Sequence, residues 1–471
     1  MGKPIDEFTG IEREKWIRRN TYYYRYLVTY LKYFIPADSS ILQIGSDTGY
    51  LLEALHPRLG VGVTNSASQL DYAREYRPNN TYYLSEPENF SVEGTFDFVL
   101  ISDSVGSFYD VQKVFERIGN HCDDKTRVVI TTTNFLWYPF LNLAEAIGLK
   151  MPQKKQNWLD QNDIINLLTL TGFEIVSKSR NLIAPLYLPL LSNILNAFVG
   201  PLPLVNKLGL VNFMTARKIP ENHSRIAEKS VSVIIPARNE KGNIESLILR
   251  TPKMGSHTEI VFVEGNSTDE TWAEIQKMGK KYLDTHDIKW TQQEGKGKGD
   301  AVRKGFAHAS GEILMILDAD MTVPPEDLPK FYRAIASGRG EYINGTRLVY
   351  PLENEAMRSL NLIGNKFFSL AFSWILGQPL KDTLCGTKVI SAENYQKLSK
   401  NRHYFGNFDP FGDFDLIFGA SKLQLKIVEV PIRYRARTYG DTNISRFRHG
   451  WILLKMTFFA LQKIKFIPLR S

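Results

Sequence analysis

Asp318 and Asp320 stand two residues apart at the end of the apolar run 313–317. In an extended chain, residues i and i+2 point to one side. Both carboxylates can therefore approach one hard cation, Mg²⁺ or Mn²⁺, which in turn bridges phosphate oxygens. The C-terminal end of such a strand is where open α/β sheets bind ligands. An acid-x-acid pair alone is common, and an acidic strand cap is its plainest alternative. Three upstream segments supply context. Pro236-Ala237-Arg238-Asn239-Glu240 follows one apolar run, and Val263-Glu264-Gly265-Asn266-Ser267-Thr268-Asp269 follows another. Acids at these two ends can read a base and a ribose by hydrogen bonds. Gly295-Lys296-Gly297-Lys298-Gly299-Asp300-Ala301 then opens a helix. Glycines beside lysines at a helix N-terminus suit a diphosphate.

The elements that must position these residues fall into two blocks. Each opens with an apolar strand, a turn and a helix: 41–45 leading through Ser46-Asp47-Thr48-Gly49 into 50–55, and 231–236. Between them, 217–230 is polar, charged and broken by a proline, which reads as a linker. The expected domains are 1–216 and 231–471. In the first, strands at 60–63, 96–101, 127–132 and 173–178 alternate with helices at 68–74, 111–118 and 160–171. An amphipathic helix at 11–34 precedes them. In the second, strands at 259–263 and 313–317 alternate with helices at 244–249, 301–309 and 325–336. This alternation predicts an α/β protein of two Rossmann-like, doubly wound parallel sheets.

Composition narrows the class. At 471 residues, 43% hydrophobic and 23% charged, the chain is globular and long enough for two or three domains. Its mean hydropathy of −0.23 excludes a polytopic membrane protein. Two cysteines, Cys122 and Cys385, allow neither a disulfide framework nor a cysteine-based zinc site. The charged N-terminus lacks the apolar core of a secretory signal, so a cytoplasmic location is expected. From 433 to 471 there are nine basic residues against one acid, Asp441, so the tail holds the whole net charge of +8. Those charges alternate with Trp451, Leu453, Leu454, Phe458 and Phe459, a pattern that favours an anionic membrane surface over nucleic acid. The plainer alternative is an amphipathic helix docked on its own domain. Residues 181–206 carry no charge but are interrupted by Pro185, Pro189, Pro201 and Pro203, and 367–380 are too short to span a bilayer. The expectation is peripheral membrane association without a transmembrane helix.

The four ordered motifs ending at Asp318 and Asp320 make residues 231–470 resemble a family 2 glycosyltransferase with the GT-A fold, nearest to its polyprenyl-phosphate (dolichyl-phosphate) branch. That family runs P-x-Y-N-E, V-D-D-x-S-x-D, G-x-G-x-A and D-A-D. This chain departs from it at Arg238, at Glu264-Gly265, and at Thr322, where the lipid branch often has glutamine. The resemblance implies an inverting transfer from a UDP- or GDP-sugar, with Pro236, Glu240 and Glu264 near the nucleoside. Arg238, Asn266, Lys296, Lys298, Gly299 and Asp300 complete the expected nucleotide-sugar site. Asp382-Thr383-Leu384-Cys385-Gly386-Thr387-Lys388 resembles the family's acceptor-side segment, and Arg347 matches a basic position near the phosphates. Asp413 and Asp415 fall where relatives with hydroxyl acceptors carry a base; a helix cap is the alternative. A lipid phosphate is already anionic and needs cations rather than a base. Arg347, Lys388, Arg433, Arg435 and Arg437 offer those cations, so a polyprenyl phosphate is the expected acceptor.

Residues 41–49 resemble the first motif of class I SAM-dependent methyltransferases, acid-x-Gly-x-Gly-x-Gly, retaining Gly45 and Gly49. Gln43 replaces the leading acid, Asp47 the middle glycine, and Thr64 the acid that binds ribose. The resemblance implies the methyltransferase fold; Asp103, after the fourth strand, is the one acid to test there, with a strand-end cap as the alternative. SAM binding is expected to be weak or absent, leaving a structural or regulatory domain. The whole chain is thus expected to be a metal-dependent, membrane-surface glycosyltransferase. Two alternatives stay open: a bifunctional methyl- and glycosyltransferase acting on a non-lipid glycan acceptor, and a protein that only holds nucleotides.

Overall fold

Short runs of Val, Ile and Leu, bounded by Gly, Asn and Asp, build two separate sheets. The computed structural model describes residues 9–152, 159–220, 228–347, 359–404, 414–432, 435, 439 and 446–466. Chain contacts divide it into one unit of Met1–Pro220 with Lys465–Ser471 and a second of Glu221–Ile464.

The first unit's strands are β1 (Ser40–Ile44), β2 (Leu59–Thr64), β3 (Thr81–Leu84), β4 (Phe98–Ser102), β5 (Arg127–Thr133), β6 (Phe173–Asn181) and β7 (Val211–Lys218). They lie in the order β3-β2-β1-β4-β5-β7-β6. The first five are parallel, and β7 runs antiparallel to both β5 and β6. Every residue of β1 is buried, as expected for a strand covered on both faces. Strand order reverses between β1 and β4, so their C-terminal ends frame a crevice. The single N-terminal helix expected at 11–34 is instead two, Gly10–Arg19 and Thr21–Phe34, with non-helical backbone at Asn20 between them. Arg217, read as linker because it is charged, sits in β7. It is 1% exposed and pairs with Glu174 at 2.7 Å.

The second unit's strands are β8 (Val231–Ala237), β9 (Thr258–Glu264), β10 (Asp287–Gln292), β11 (Ile313–Ile316), β12 (Tyr342–Thr346), β13 (Lys388–Ser391) and β14 (Ile427–Pro431). Their order is β10-β9-β8-β11-β13-β12-β14. Strands β8 to β11 are parallel; β13 is antiparallel to β11 and β12. Both sheets are therefore α/β but mixed rather than wholly parallel. Val233, Ile235, Phe262, Met315 and Phe331 form the core that anchors the site-bearing strand ends.

The uncharged stretch at 181–206 is not one helix but short turns, Leu191–Ile194 and Leu195–Val199 among them. Among the described residues, no helix is long and apolar enough to cross a membrane.

Candidate functional site

Strand β11 pairs with β8 through Ile316 and Ile234, and the next amide, Leu317 N–H, still donates to Ile234 C=O at 3.0 Å. The ladder ends there, and Asp318 emerges at the sheet edge. Its Oδ1 meets Lys298 Nζ at 2.6 Å. Lys298 opens the helix Lys298–His308, entered through Gly297 at φ +87°, a conformation that excludes most side chains. Asp300, in the first turn, accepts from the Gly295 amide at 2.8 Å and closes the glycine loop, while Gly299 is buried in the helix and Lys296 is exposed. Behind Asp318 stands Gly386: a Cβ there would lie 1.9 Å from Asp318 Oδ2. Lys388 begins β13, is 1% exposed, and donates to Cys385 C=O. Burial pushes the Asp318 carboxyl upward in pKa, but Lys298, Lys388 and Arg347 outweigh it and hold the group below its ordinary value.

Asp320 is held by the loop itself. Its Oδ1 accepts from Thr322 N–H at 3.1 Å and Thr322 Oγ1 at 2.8 Å, across Met321 at φ +53°. Two carboxylates on one loop are a hard-oxygen donor set of the kind that holds Mg²⁺ or Mn²⁺ together with substrate phosphates. Among the described residues no group of three or more His, Cys, Asp or Glu side chains is placed to hold a metal. Any metal here would need those phosphates and would share Asp318 with Lys298.

Arg347 and Asp382 form a bidentate pair. Nε and an Nη of Arg347 reach the two Asp382 oxygens at 2.7 and 2.8 Å, and the Arg347 amide adds 3.0 Å. Asp382 is 1% exposed. Burial would raise its pKa, yet Arg347 holds it below the ordinary carboxylate value. Glu429, from β14, accepts from the Lys381 and Asp382 amides, fixing the segment from behind. Burial raises the Glu429 pKa. Glu429 escaped sequence analysis because an acid within an alternating strand reads as surface.

Three strand ends bring the expected nucleoside residues together. In register, Ala237 of β8 pairs with Glu264 of β9, and Glu264 with Gln292 of β10. Glu264 is 2% exposed and accepts from Gln292 Nε2 at 3.1 Å. Glu240, also buried, accepts from Asn243 at 2.8 Å. Asn266, at φ +57°, donates to Gly295 C=O at 3.3 Å and so links the second motif to the glycine loop. Pro236 is half-buried within β8, and Arg238 is exposed beside Gly265.

Other expected residues lie elsewhere. Asp415 pairs with Arg402 at 2.9 Å in the first turn of Phe414–Lys422. Asp413, Arg433 and Arg437 lie outside the described residues. Arg435 is exposed, and its amide donates to Thr322 C=O at 3.0 Å, next to the Asp320 loop.

In the first unit, Gly45 and Gly49 take φ +72° and +79° in the turn after β1, as the glycine motif requires. Asp47, at φ +48°, is clasped by Arg13 at 2.7 and 3.1 Å. Thr64 is buried at the end of β2, where its Oγ1 accepts from Ser66 N–H at 3.3 Å. Asp103, at φ +52°, accepts from Tyr23 Oη, and burial raises its pKa. A cavity of about 450 Å³ opens at the β1 and β4 ends, lined by Gln43, Gly45, Asp47 and Asp103 but not by Thr64. A nucleoside cofactor would extend over the end of β2. The acid that would bind a ribose at the end of β2 is therefore missing, Thr64 standing in its place.

Comparison with known proteins finds a match for each unit. Residues 232–398 match the family model for glycosyl transferase family 2, and residues 16–178 match a methyltransferase domain. A dolichol-phosphate mannosyltransferase from Pyrococcus furiosus is 42% identical over 241 residues, 48% of this chain and 64% of that protein. An undecaprenyl-phosphate 4-deoxy-4-formamido-L-arabinose transferase from Salmonella paratyphi B is 25% identical over 47% of this chain and 64% of that protein. This chain thus spans slightly less than two thirds of either. Among solved structures, glucosyl-3-phosphoglycerate synthase from Mycobacterium tuberculosis is similar with TM-score 0.37 and 19% identity, over 50% of this chain and 80% of that one. The second unit thus carries a segment that matches glycosyl transferase family 2, and the first a segment that matches a methyltransferase domain.

Proposed function

We propose that the second unit transfers a sugar from a UDP- or GDP-sugar to a polyprenyl phosphate, with inversion, at a membrane surface. The observation that carries this reading is the gathering of Lys298, Lys388 and Arg347 around Asp318 at the sheet edge. Lys298, at the helix N-terminus, suits a phosphorylated ligand, with Lys388 buried behind it and Arg347 paired with Asp382. The two relatives named above are both lipid-phosphate sugar transferases.

The residues divide the work. Glu240 and Glu264 end β8 and β9 as hydrogen-bond acceptors for the nucleoside, and the glycine loop before Lys298 brings backbone amides to the diphosphate. A divalent cation on Asp318 and Asp320 would neutralise charge developing on the leaving diphosphate. Lys298 supplies charge of the same sign from the helix N-terminus. A phosphate oxygen of the acceptor attacks the anomeric carbon from the face opposite the diphosphate; the new C–O bond forms as the old one breaks, which inverts that carbon. No proton has to leave the nucleophile. The Asp415–Arg402 pair accords with this, since Asp415 is held as an ion-pair partner rather than as a base. Arg347 orients the acceptor segment through Asp382.

Membrane attachment is part of the proposal. On the helix Arg446–Ala460, Trp451, Leu454 and Phe458 are exposed together with Lys455, while Leu453, Met456 and Ala460 are buried. On Ser359–Leu376, Phe367 and Leu370 are exposed as well. Apolar side chains in such number beside basic ones favour a lipid surface. The test is a panel of nucleotide sugars with polyprenyl phosphate, following label into the lipid phase. Label that enters water-soluble glycan instead, with every donor tried, would overturn the reading.

A further inference from the structure

The cavity of the first unit has two chemically different ends. Its floor lies at the tips of β1 and β4, where Gln43 Oε1, Ser46 Oγ and Asp103 Oδ1 are buried without a hydrogen-bond partner. Gln43 and Ser46 are each 2% exposed. A buried polar atom left unpaired costs about 1–3 kcal/mol, so three on one floor mark a place where a ligand completes the bonding. Two of the three can only accept, which means that the ligand must bring O–H or N–H donors. Apart from Asp103, which accepts from Tyr23, charge is balanced: Arg13 is clasped by Asp47, and Lys150 is paired with Glu145. A neutral, hydroxyl-bearing group fits this floor. A phosphate monoester, mostly a dianion without a donor at neutral pH, does not.

The mouth is apolar. Trp137, Phe140, Leu143 and Ile147 line it from the segment that follows β5, and Leu186 lines it from the uncharged stretch after β6. Phe140, Leu143 and Ile147, spaced i, i+3 and i+7, are 64%, 60% and 61% exposed, and Leu188 and Leu190 extend the apolar surface past Leu186. Single soluble domains rarely leave so many large apolar side chains in water. The surface runs directly into the cavity, so one elongated molecule can occupy both.

We propose that this cavity binds the glycosylated lipid: a single-chain lipid whose sugar head hydrogen-bonds to Gln43, Ser46 and Asp103 while its chain lies along Phe140, Leu143, Ile147 and Leu186. Identifying that lipid as the product class of the second unit rests on the function proposed above; the binding itself does not. The first unit then acts as a receiver for polyprenyl-linked sugar, and the lost SAM contacts accompany a cavity turned toward α-helical apolar surface rather than toward β2.

Calorimetry on the full chain tests this with n-dodecyl β-D-glucoside below its micelle concentration, against dodecyl phosphate, glucose and SAM. The expected result is saturable one-to-one binding of the glucoside, about tenfold or more tighter than dodecyl phosphate, undisturbed by excess SAM. Leu143→Ser with Ile147→Ser, both at exposed positions, should weaken binding about tenfold, as should Gln43→Leu. Asp320→Asn should leave it in place, locating the ligand in the first unit. Equal or tighter binding of dodecyl phosphate, displacement by SAM, indifference to the Leu143/Ile147 double variant, or loss in Asp320→Asn would each overturn the proposal. Sugar transfer is scored separately, so its failure would leave this result standing.

Discussion

Gly386 stands so close to Asp318 that a Cβ would fall 1.9 Å from Oδ2 and 2.7 Å from the Lys298 ammonium. The segment around Gly386 thereby limits where the Asp318 carboxylate can sit. Gly386→Ala should displace Asp318 by a large fraction of an ångström. The obstructing atoms are side-chain ends, so folding should survive. Misplacement on that scale costs about a hundredfold in rate. The expected outcome is kcat reduced about a hundredfold with circular dichroism and Tm nearly unchanged, and full activity would remove Gly386 from the site.

Lys298 and Asp318 give a pH prediction. Burial acts to raise the Asp318 pKa, and Lys298 is the largest of the cations that pull it down. Activity that needs the ionised carboxylate is lost as pH falls through that lowered pKa. Lys298→Met removes the pull, so the acid limb of the kcat/KM profile should move to higher pH. An acid limb that stays in place while the rate falls uniformly would mean that Lys298 serves only the diphosphate.

Much of this arrangement was legible in the residues, because the apolar run 313–317 and the glycine loop are local signals. Asp318 meets Lys298 at the end of that run, while Asp320 bonds Thr322 and Asp300 closes the glycine loop on Gly295. Orientation of the later strands was not legible: β12, β13 and β14 are short, and period-two alternation carries no sign of direction. Arg217 misled for the opposite reason, since a charge buried against Glu174 is indistinguishable in sequence from a charge on a linker. Asp382 and Arg347 are 35 residues apart in the chain, and only the fold reveals that each neutralises the other.

That pair supplies a stability prediction. Removing one partner of a buried ion pair costs about 3–5 kcal/mol, so Asp382→Ala should lower Tm sharply, whereas Arg347→Lys, keeping charge but losing the fork, should cost less. The pH sign follows from the lowered Asp382 pKa. A carboxyl whose folded pKa lies below its unfolded value stabilises above the unfolded value, near 3.9, and that stability is lost as pH falls through the folded pKa. Acid unfolding of the native chain should therefore steepen below about pH 4, and the Asp382→Ala chain should lack that component.

Metal dependence is checked by chelation. If Asp318 and Asp320 hold a divalent cation with the diphosphate, EDTA should abolish transfer, and Mn²⁺ or Mg²⁺ should restore it. Asp320→Asn keeps the contact to Thr322 and should depress kcat far more than Tm. Undiminished transfer in EDTA would assign charge neutralisation to Lys298 and Lys388 alone.

The helix Arg446–Ala460 decides how membrane attachment must be tested. Leu453, Met456 and Ala460 are buried, so deleting the tail would damage the second unit and confuse docking with folding. Trp451, Leu454 and Phe458 are exposed on the other side, at 62%, 43% and 64%, and can be changed without opening the core. Each apolar side chain that enters lipid contributes on the order of 1.5–3 kcal/mol when fully buried, and each nearby Lys or Arg about 1 kcal/mol at an anionic surface. The triple variant Trp451→Ser, Leu454→Ser, Phe458→Ser should therefore lose most vesicle binding while keeping its Tm and nucleotide-sugar affinity. Salt separates the two contributions, because screening confines the charge attraction to about 8 Å at physiological ionic strength. The native chain should be released only partly from anionic vesicles as salt rises, retaining the apolar share, and the triple variant should be released completely. Its turnover should fall on long polyprenyl acceptors presented in vesicles and hold on short soluble ones. Vesicle co-sedimentation that is the same for both chains at every salt concentration would show that these three side chains meet something other than lipid.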